Sequence, residues 1–201
     1  MKLIMSPASP FVRKVAVLIR ETGQQGDIEE VEVSTTPVNT AEAVWAANPL
    51  GKIPALVLED GRALYDSRVI TRFLDARAQA GLYPEDRLWD VLTLEATADG
   101  ILEAAVLMVY EGRVRPEEVR YAPWVEAQWT KAMTAVRAVN DRWLDQLDGP
   151  LDMAQIAVGC ALGYLDFRHG ARDWREAAPD LADWYASFEQ RPAMVATRPP
   201  D

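Results

Sequence analysis

The sequence predicts a two-part fold in which a mixed α/β region is followed by an all-helical region. Residues 1–77 alternate short apolar strands with amphipathic helices in the order β-α-β-α-β-β-α, and from Gly81 onward every periodic segment has helical spacing. The first strand is not followed by a G-x-G-x-x-G motif, and the order is too compact for a dinucleotide-binding fold. We therefore expect an α/β domain over residues 1–77, a linker over 78–85 and a helical domain over 86–201.

Apolar spacing and turn residues predict the elements of the first region in order. A run with helical spacing follows the first proline-containing loop, and Gly23 is typical of the position just past a helix end. Valines that alternate with glutamates near residue 31 are typical of a half-exposed strand, and Asp60-Gly61 is a strong hairpin signal. The expected strands are 2–5, 31–33, 55–58 and 63–65, and the expected helices are 11–22, 40–47 and 67–80.

The second region is predicted as amphipathic helices followed by a non-helical tail, the helices being 86–113, 117–147, 151–168 and 180–191. The third helix has the strongest start signal, because Asp152 serves as its N-cap and Gln155 is the reciprocal partner in a capping box. Its apolar residues face nearly all directions, so we expect it to form the centre of the helical core. Cys160 lies among small apolar residues on this helix, which is typical of an unreactive core cysteine.

Composition narrows the classes of function and the cellular setting. The net charge of −10 and a pI near 4.7 argue against a nucleic-acid surface or an anionic membrane surface. The single cysteine, Cys160, excludes an intrachain disulfide and fits a reducing compartment. No signal peptide is visible, and no apolar window reaches the length of a membrane span. The single histidine, His169, and the lack of zinc-like spacing of ligands predict that the chain has no metal site. From the cysteine count and the missing signal peptide and membrane span, we expect a cytoplasmic protein.

Two short motifs indicate a ligand site in the first region. Ile53-Pro54 stands directly before a short apolar strand, and an X-Pro bond there is a good candidate for a cis peptide. Such a turn would present the N–H and C=O of Ile53 as a strand edge that an extended peptide can join. Asp66-Ser67 stands at a helix start, where free N–H groups, a hydroxyl and the positive end of the helix dipole suit a carboxylate. Together these motifs predict a receptor for a short acidic peptide.

With these motifs the chain resembles the cytosolic glutathione S-transferases, of the bacterial type with a serine-type active site. The resemblance covers nearly the full length and is carried by residues 6–15, 48–56, 64–67, the helix capped by Asp152, and 191–194. It implies a thioredoxin-like N-terminal domain, a C-terminal helical bundle domain, and a homodimer with one glutathione site per subunit. The chain departs from the family pattern at Asp66, where most such members carry Glu, and at Asp152, where many have Ser or Thr.

The resemblance also implies which residues hold glutathione. The backbone of Ile53, before Pro54, would pair with the cysteinyl unit. Asp66 would meet the γ-glutamyl amino group, and Ser67 would meet the γ-glutamyl carboxylate. For the glycine carboxylate, the resemblance points to Lys52 and Asn39. It places Phe11 beside the sulfur. The alternatives are that Lys52 is a solvated loop charge, that Phe11 belongs to the core and that Asp66 only caps a helix.

A serine before the first helix is the candidate that activates the glutathione thiol. A free thiol of this kind has a pKa of about 8.5, so only a small fraction is thiolate at pH 7. A hydroxyl hydrogen bond and a helix N-terminus, worth about 1–2 kcal/mol each, suffice together to lower that pKa by about two units. Ser9 supplies both, since Ser9-Pro10 is typical of an N-cap followed by a first helical proline. Ser6 is the rival, and a plain helix cap is the alternative role of Ser9.

For the second substrate, the resemblance implies a pocket between the Ser9 loop and the helix predicted over 86–113. Its expected lining is Leu107, Tyr110 and Glu111, with Met108 and either Tyr164 or Trp124 as further candidates. The implied function is a glutathione transferase in detoxification, which uses glutathione as co-substrate to conjugate or reduce a small hydrophobic electrophile. The alternative is a non-catalytic protein of the same fold that binds ligands or partners.

Overall fold

In the computed structural model, which describes residues 1–200, the first strand lies inside a four-stranded sheet. The strands are β1 (Lys2–Met5), β2 (Glu29–Glu32), β3 (Ala55–Val57) and β4 (Ala63–Leu64), in the spatial order β2-β1-β3-β4. β1 runs parallel to β2 and antiparallel to β3, and β3 runs antiparallel to β4. This mixed sheet is the one that a thioredoxin-like domain requires, so the predicted fold of the first region is confirmed.

Three helices accompany this sheet, and their bounds lie close to the predicted ones: α1 (Pro10–Glu21), α2 (Glu42–Ala47) and α3 (Ser67–Ala78). Gly23 follows α1 with φ +69°, the left-handed conformation that ends a helix at low cost for glycine. α1 and α3 pack against each other. Side chains from their apolar faces and from the central strands form a fully buried core, which includes Leu3, Val15, Leu18, Leu56, Ile70 and Leu74.

The second region is helical throughout, as predicted, and contains α4 (Leu88–Val114), α5 (Ala122–Arg142), α6 (Leu144–Leu147), α7 (Met153–His169) and α8 (Pro179–Phe188). The prediction of one continuous helix over 117–147 was wrong. A short 3-10 turn (Glu117–Val119) precedes α5, and Trp143 leaves helical geometry between α5 and α6. Pro123 explains the late start, because proline lacks an N–H donor and is tolerated only in the first turn of a helix.

α7 is the most deeply buried helix, as predicted from its all-round apolar sequence. Every residue from Met153 to Leu165 is buried, including Cys160. α7 packs closely along α4, so these two helices form the middle of the helical core.

The start of α7 has only half of the predicted capping box. The Gln155 backbone N–H donates to Oδ1 of Asp152 at 3.1 Å, so Asp152 is the N-cap. The Gln155 side chain does not reach back to the Asp152 backbone. Its Nε2 instead donates to the carbonyls of Gln146, Gly149 and Pro150, and thereby fixes the loop that leads into the helix.

Contacts divide the chain into two compact units, whose limits differ from the domain limits expected from the sequence. One unit comprises Met1–Tyr83 together with the C-terminal segment from Pro192, and the other comprises Pro84–Arg191. The C-terminal segment forms a short helix, α9 (Pro192–Ala196), that packs against α1. The Arg13 guanidinium donates to the Met194 carbonyl at 3.1 Å, and this buried bond ties the segment to the first unit.

Six of the eight residues of the expected linker, 78–83, are part of the first unit. Leu82 and Tyr83 are both buried, and the Leu82 N–H donates to the Asp75 carboxylate at 2.8 Å. The Tyr83 hydroxyl shares a hydrogen bond of 2.8 Å with the Thr71 hydroxyl. Within residues 1–200, no helix combines the length and hydropathy that a membrane span requires.

The Asp152 cap generates a stability prediction. Asp152 is fully buried, and its Oδ2 lies 3.4 Å from both Arg87 Nη1 and Gln146 Nε2. Asp152→Ala removes the cap and leaves buried donors without an acceptor, so we expect the free energy of unfolding to fall by about 3 kcal/mol. Asp152→Asn keeps one acceptor oxygen and is expected to lose about 1–2 kcal/mol. Urea unfolding followed by circular dichroism measures both, and equal losses would contradict the capping role.

Asp152 also makes the stability of the natural protein relative to Asp152→Asn depend on pH, and the burial of the Asp152 carboxyl gives the sign of this dependence. Burial raises the pKa of the Asp152 carboxyl above its usual value, although the Gln155 N–H, Gln146 and Arg87 act in the opposite direction. The folded chain therefore holds this proton more tightly than the unfolded chain, and acidification favours the folded state through this group. We expect the stability advantage of the natural protein over Asp152→Asn to grow as the pH is lowered from neutral towards the usual aspartate pKa of about 3.9.

Candidate functional site

The strand directions bring four loop segments to one edge of the sheet. β1 and β2 are parallel, so both of their carboxyl ends lie at this edge. β3 is antiparallel to β1 and to β4, so its amino end and the carboxyl end of β4 lie there too. The register pairs Ile4 with Ala55 and Leu56 with Leu64, which brings the residues just beyond these pairs next to one another. We call this place the site edge, formed by residues 6–9, 33–41, 52–54 and 65–67.

Ser9 lies at the site edge as the N-cap of α1. Its backbone is extended, Pro10 is the first helical residue, and its Oγ accepts a hydrogen bond of 3.4 Å from the Val12 N–H. This bond is long, and the hydroxyl serves in it only as acceptor, so the hydroxyl proton is available for a second bond. Capping α1 and donating to a ligand atom are therefore compatible for this side chain.

Ser6, the rival serine, lies at the start of the same loop. Its carbonyl accepts a hydrogen bond of 3.0 Å from the Ser9 N–H, which closes a tight turn between the two serines. Both side chains are partly exposed. The geometry thus places both hydroxyls at the site edge, and only Ser9 stands at the N-terminus of α1.

The Ile53-Pro54 peptide bond is cis, as predicted from the sequence, and the Tyr65-Asp66 bond is also cis. Ile53 lies just before β3, outside the paired part of the sheet. Among residues 1–200, neither its N–H nor its carbonyl makes a backbone hydrogen bond. Its side chain packs against the cluster of Ile4, Val44 and Ala55. The Ile53 peptide groups are therefore held by a partly buried side chain while their hydrogen-bonding capacity stays open.

Asp66 and Ser67 begin α3 at the same edge. Asp66 caps the helix, since its Oδ1 accepts a 3.1 Å bond from the Arg68 N–H, and its Oδ2 forms an ion pair of 3.2 Å with the Arg68 guanidinium. The Asp66 carboxylate remains about half exposed, at 54%. Ser67 is 3% exposed, and its hydroxyl makes no hydrogen bond to any residue that the structure describes. The start of α3 thus offers a carboxylate, a hydroxyl and helix N–H groups together.

The other predicted ligand residues of the first unit are more exposed. Lys52 is an exposed side chain one residue before Ile53. Asn39 lies on the exposed loop after β2, in a turn where its N–H donates to the Thr36 carbonyl at 3.2 Å and its carbonyl accepts from the Thr36 N–H at 3.1 Å. Phe11 is partly exposed in the first turn of α1, so it is not a pure core residue. Lys52 and Asn39 lie in segments of the site edge, and Phe11 lies just beyond its first segment.

Sequence reasoning missed the residues that brace the loop before Ile53. Asn48 is buried, its Nδ2 donates to the Lys52 carbonyl at 2.8 Å, and its Oδ1 accepts from the Leu50 N–H at 2.9 Å. Gly51 has φ +64°, and a Cβ there would lie 2.8 Å from the Trp45 ring. The sequence over residues 48–51, Asn-Pro-Leu-Gly, is typical of a turn. It could have predicted an Asx-type hydrogen bond from the Asn48 side chain.

The predicted second-substrate residues lie on α4 in the helical unit and differ in role. Leu107 and Tyr110 are partly exposed, at 41% and 37%. Glu111 is buried, and its two carboxylate oxygens accept from Arg115 Nε at 2.8 Å and from the Tyr121 N–H at 2.9 Å. The Glu111 carboxylate therefore fixes the loop between α4 and α5. Among residues 1–200, no group of histidine, cysteine and acidic side chains could hold a metal ion.

Comparison with known proteins places both regions of the chain in one family. The model for the glutathione S-transferase N-terminal domain matches residues 3–81, and the model for the C-terminal domain of the same family matches residues 122–187. The GST-like protein YibF of Escherichia coli (strain K12) is 33% identical over all of this chain and 99% of its own length.

Solved structures give the same result. A glutathione transferase family member from Pseudomonas fluorescens Pf-5 with bound glutathione is 45% identical and superposes with a TM-score of 0.97 over 100% of this chain and 99% of its own. A structure of a family member from the same source with bound S-(propanoic acid)-glutathione is 44% identical, with a TM-score of 0.92 over 99% of each chain.

The long Ser9 cap bond leads to a prediction about stability alone. The Ser9 Oγ to Val12 N distance is 3.4 Å, so this hydrogen bond is weak. Ser9→Ala is therefore expected to lower the free energy of unfolding by less than about 1 kcal/mol. Thermal or urea unfolding measures this value. A loss above about 2 kcal/mol would mean that Ser9 is mainly a structural cap.

Proposed function

This chain belongs to the glutathione S-transferase family, and from that premise we propose that it is a glutathione transferase that transfers the glutathione thiolate to a small electrophile. One observation carries the proposal. The unpaired peptide of Ile53, the start of α3 at Asp66-Ser67 and the Ser9 hydroxyl meet at a single edge of the sheet. Each of these three groups complements a different part of the tripeptide.

The open peptide of Ile53 suits the cysteinyl unit. Its N–H and carbonyl have no backbone partner within residues 1–200, so an extended peptide can pair with both as an additional strand. Each such bond contributes about 0.5–1.5 kcal/mol net, because water competes for the same groups. The pairing also fixes the direction of the ligand chain and therefore the position of its sulfur.

The start of α3 suits the γ-glutamyl end, which carries one ammonium and one carboxylate. The first-turn N–H groups of a helix and its dipole attract an anion, and the Ser67 hydroxyl adds a donor. The half-exposed Asp66 carboxylate offers an acceptor for the ammonium. Lys52 lies on the loop beside Ile53, where its charge suits the glycine carboxylate. In a chain of net charge −10, such local positive potential is what an anionic tripeptide needs.

Ser9 is the residue that we assign to the sulfur. Its hydroxyl proton is not used by the cap bond, and it lies at the positive end of α1. Both effects favour thiolate over thiol and lower the pKa of the bound thiol. The thiolate then attacks an electrophilic carbon, a C–S bond forms, and the leaving group departs with the bonding electrons. The thiol proton passes to solvent.

The comparisons support this proposal at the level of the ligand. The Pseudomonas fluorescens family members were solved with glutathione and with S-(propanoic acid)-glutathione, in which the glutathione sulfur carries a substituent. The proposal extends to a cytoplasmic homodimer in detoxification, as the family implies, with the single cysteine as the feature that suits a reducing compartment.

The role of Ser9 predicts a loss of turnover in Ser9→Ala. Removing one hydrogen bond to a thiolate costs about 1–2 kcal/mol, so we expect kcat with 1-chloro-2,4-dinitrobenzene to fall by about 5- to 30-fold. The pKa of bound glutathione, followed by thiolate absorbance, is expected to rise by about one unit. Affinity for S-methylglutathione should stay close to that of the natural protein, because this ligand has no thiol to ionise.

Ser6→Ala is the matched control for that experiment, since it removes a hydroxyl from the same loop. We expect it to leave the thiol pKa and kcat within about twofold. A loss in Ser6→Ala in place of Ser9→Ala would reassign the activating role. Glutathione binding without conjugation of any tested electrophile would favour the non-catalytic alternative.

The γ-glutamyl contacts predict losses of affinity in Ser67→Ala and Asp66→Asn. Each removes one contact to a charged group of the ligand, so we expect the Kd for S-methylglutathione to rise by about 5- to 20-fold in isothermal titration calorimetry. Ser187→Ala, at an exposed position of α8, is the matched control and should have no effect. With cysteinylglycine, which lacks the γ-glutamyl group, the natural protein and both variants should bind equally. Persistence of the losses with this shorter ligand would contradict the assignment.

A further inference from the structure

A buried side chain holds the peptide unit that carries the Ile53 N–H. This N–H shares one planar unit with the carbonyl of the preceding residue, Lys52. The Asn48 Nδ2 donates to that carbonyl at 2.8 Å, and Asn48 is only 2% exposed. The Lys52-Ile53 peptide is trans, so its carbonyl and its N–H point in opposite directions, and the Ile53 N–H points away from Asn48. Asn48 therefore fixes the direction in which the Ile53 N–H is offered.

Asn48 is itself held through all of its polar groups. Its backbone N–H donates to the Val44 carbonyl at 2.8 Å, at the end of α2, and its backbone carbonyl accepts from the Gly51 N–H at 2.9 Å. Its side-chain Oδ1 accepts from the Leu50 N–H at 2.9 Å. A backbone N–H only donates and a backbone carbonyl only accepts, so these partners determine which end of the side-chain amide is oxygen and which is nitrogen. The Asn48 side chain therefore has one orientation, with its N–H groups towards Lys52.

The turn between Asn48 and Lys52 is closed tightly enough to make these bonds specific. Gly51 has φ +64°, and a Cβ there would lie 2.8 Å from the Trp45 ring, so the chain passes directly against this ring. The two side-chain bonds of Asn48 need one donor and one acceptor on the same short side chain. An ionised aspartate has no donor, and a serine has a single oxygen. A hydrogen bond to a peptide carbonyl also polarises the peptide, which makes its N–H a stronger donor.

The direction of this N–H matters because it makes no hydrogen bond to any residue that the structure describes. We propose that Asn48 is a positioning residue, which aims the Ile53 N–H at the cysteinyl carbonyl of glutathione without touching the ligand. This inference rests on the proposed transferase function. Two residues of an antiparallel pair exchange both hydrogen bonds, so the cysteinyl unit that donates to the Ile53 carbonyl also accepts from the Ile53 N–H. A donor that is already held in place loses little freedom when the ligand binds.

Two ligands that differ at one group test this role. S-methyl-γ-glutamylcysteine amide has the cysteinyl carbonyl, whereas S-methyl-γ-glutamylcysteamine has a hydrogen in place of the whole carboxamide. Both have zero net charge and lack glycine and a thiol, so the assignments of Lys52 and Ser9 do not affect the comparison. We expect calorimetry to show that the natural protein binds the amide about fivefold more tightly than the cysteamine compound. In Asn48→Asp we expect most of this difference to disappear.

Further variants separate the donor from charge and folding. Asn48→Asp keeps the acceptor oxygen and loses only the donor to the Lys52 carbonyl. Asn48→Ala introduces no charge and should lose the same difference between the two ligands, so it also serves if Asn48→Asp does not fold. Asn140→Asp is the matched control on α5, where the Asn140 Oδ1 accepts from the Leu181 N–H at 3.0 Å and the Nδ2 donates to a neighbouring side chain. It likewise loses one donor and should leave both affinities unchanged.

The kinetic constants for glutathione separate positioning from stability. The Ile53 N–H bonds to a part of glutathione that does not react, so this bond is equally strong in the ground state and in the transition state. In Asn48→Asp we expect KM for glutathione, with 1-chloro-2,4-dinitrobenzene as electrophile, to rise about fivefold and kcat to change by less than about twofold. A purely structural defect would instead reduce the amount of folded enzyme, which lowers kcat and leaves KM unchanged.

A measurement on the ligand-free protein makes the possible failures distinguishable. Relaxation of the Ile53 ¹⁵N nucleus gives the order parameter of this N–H, which we expect to be about 0.85 in the natural protein and below about 0.6 in Asn48→Asp. If no electrophile is conjugated but the ligand preference and the order parameter both depend on Asn48, the positioning role stands and the transferase proposal fails. If conjugation proceeds and both quantities are unaltered in Asn48→Asp and Asn48→Ala, the positioning role is wrong and the transferase proposal stands. Binding of neither ligand by the natural protein would contradict both.

Discussion

The antiparallel pairing of β3 between β1 and β4 is the constraint on which the candidate site depends. It brings the loop after β1, the residues before β3 and the start of α3 to one edge of the sheet. Leu3 and Leu56 pair across β1 and β3 and are both fully buried, so they fix this register through the core. A shift by one residue would turn these side chains to the opposite face and separate Ile53 from its neighbours at the edge. The chemistry of the site is therefore set by packing beneath it.

Local signals in the sequence were sufficient to predict the cis peptide bond and the two helix caps at this edge. The cis bond at Ile53-Pro54 follows from proline chemistry, and the caps at Ser9 and Asp66 follow from the preference of short polar side chains for helix starts. Strand and helix positions in the first unit also agree closely with periodicity, since each element there has one clear apolar face. The structure adds what periodicity does not contain, namely which hydrogen-bonding groups remain open once the strands are paired.

The features that sequence reasoning missed include contacts between distant parts of the chain and local side-chain bonds such as those of Asn48 and Glu111. The bond from Arg13 to the Met194 carbonyl joins residues 181 positions apart and attaches the C-terminal segment to the first unit. Glu111 was expected in a pocket because of its place on α4, whereas its carboxylate holds Arg115 and the Tyr121 N–H. Helical spacing gives the face of each helix but not the face it meets.

A chain with net charge −10 must concentrate positive potential locally if it is to bind an anion. The first unit offers such potential at the N-termini of α1 and α3, whose dipoles need no cationic side chain and act only over the first turn. Helix dipoles suit a ligand whose backbone is fixed by pairing, because their field is narrow and directional. The surrounding negative charge repels anions elsewhere on the surface, and so favours these two helix starts for an anionic ligand.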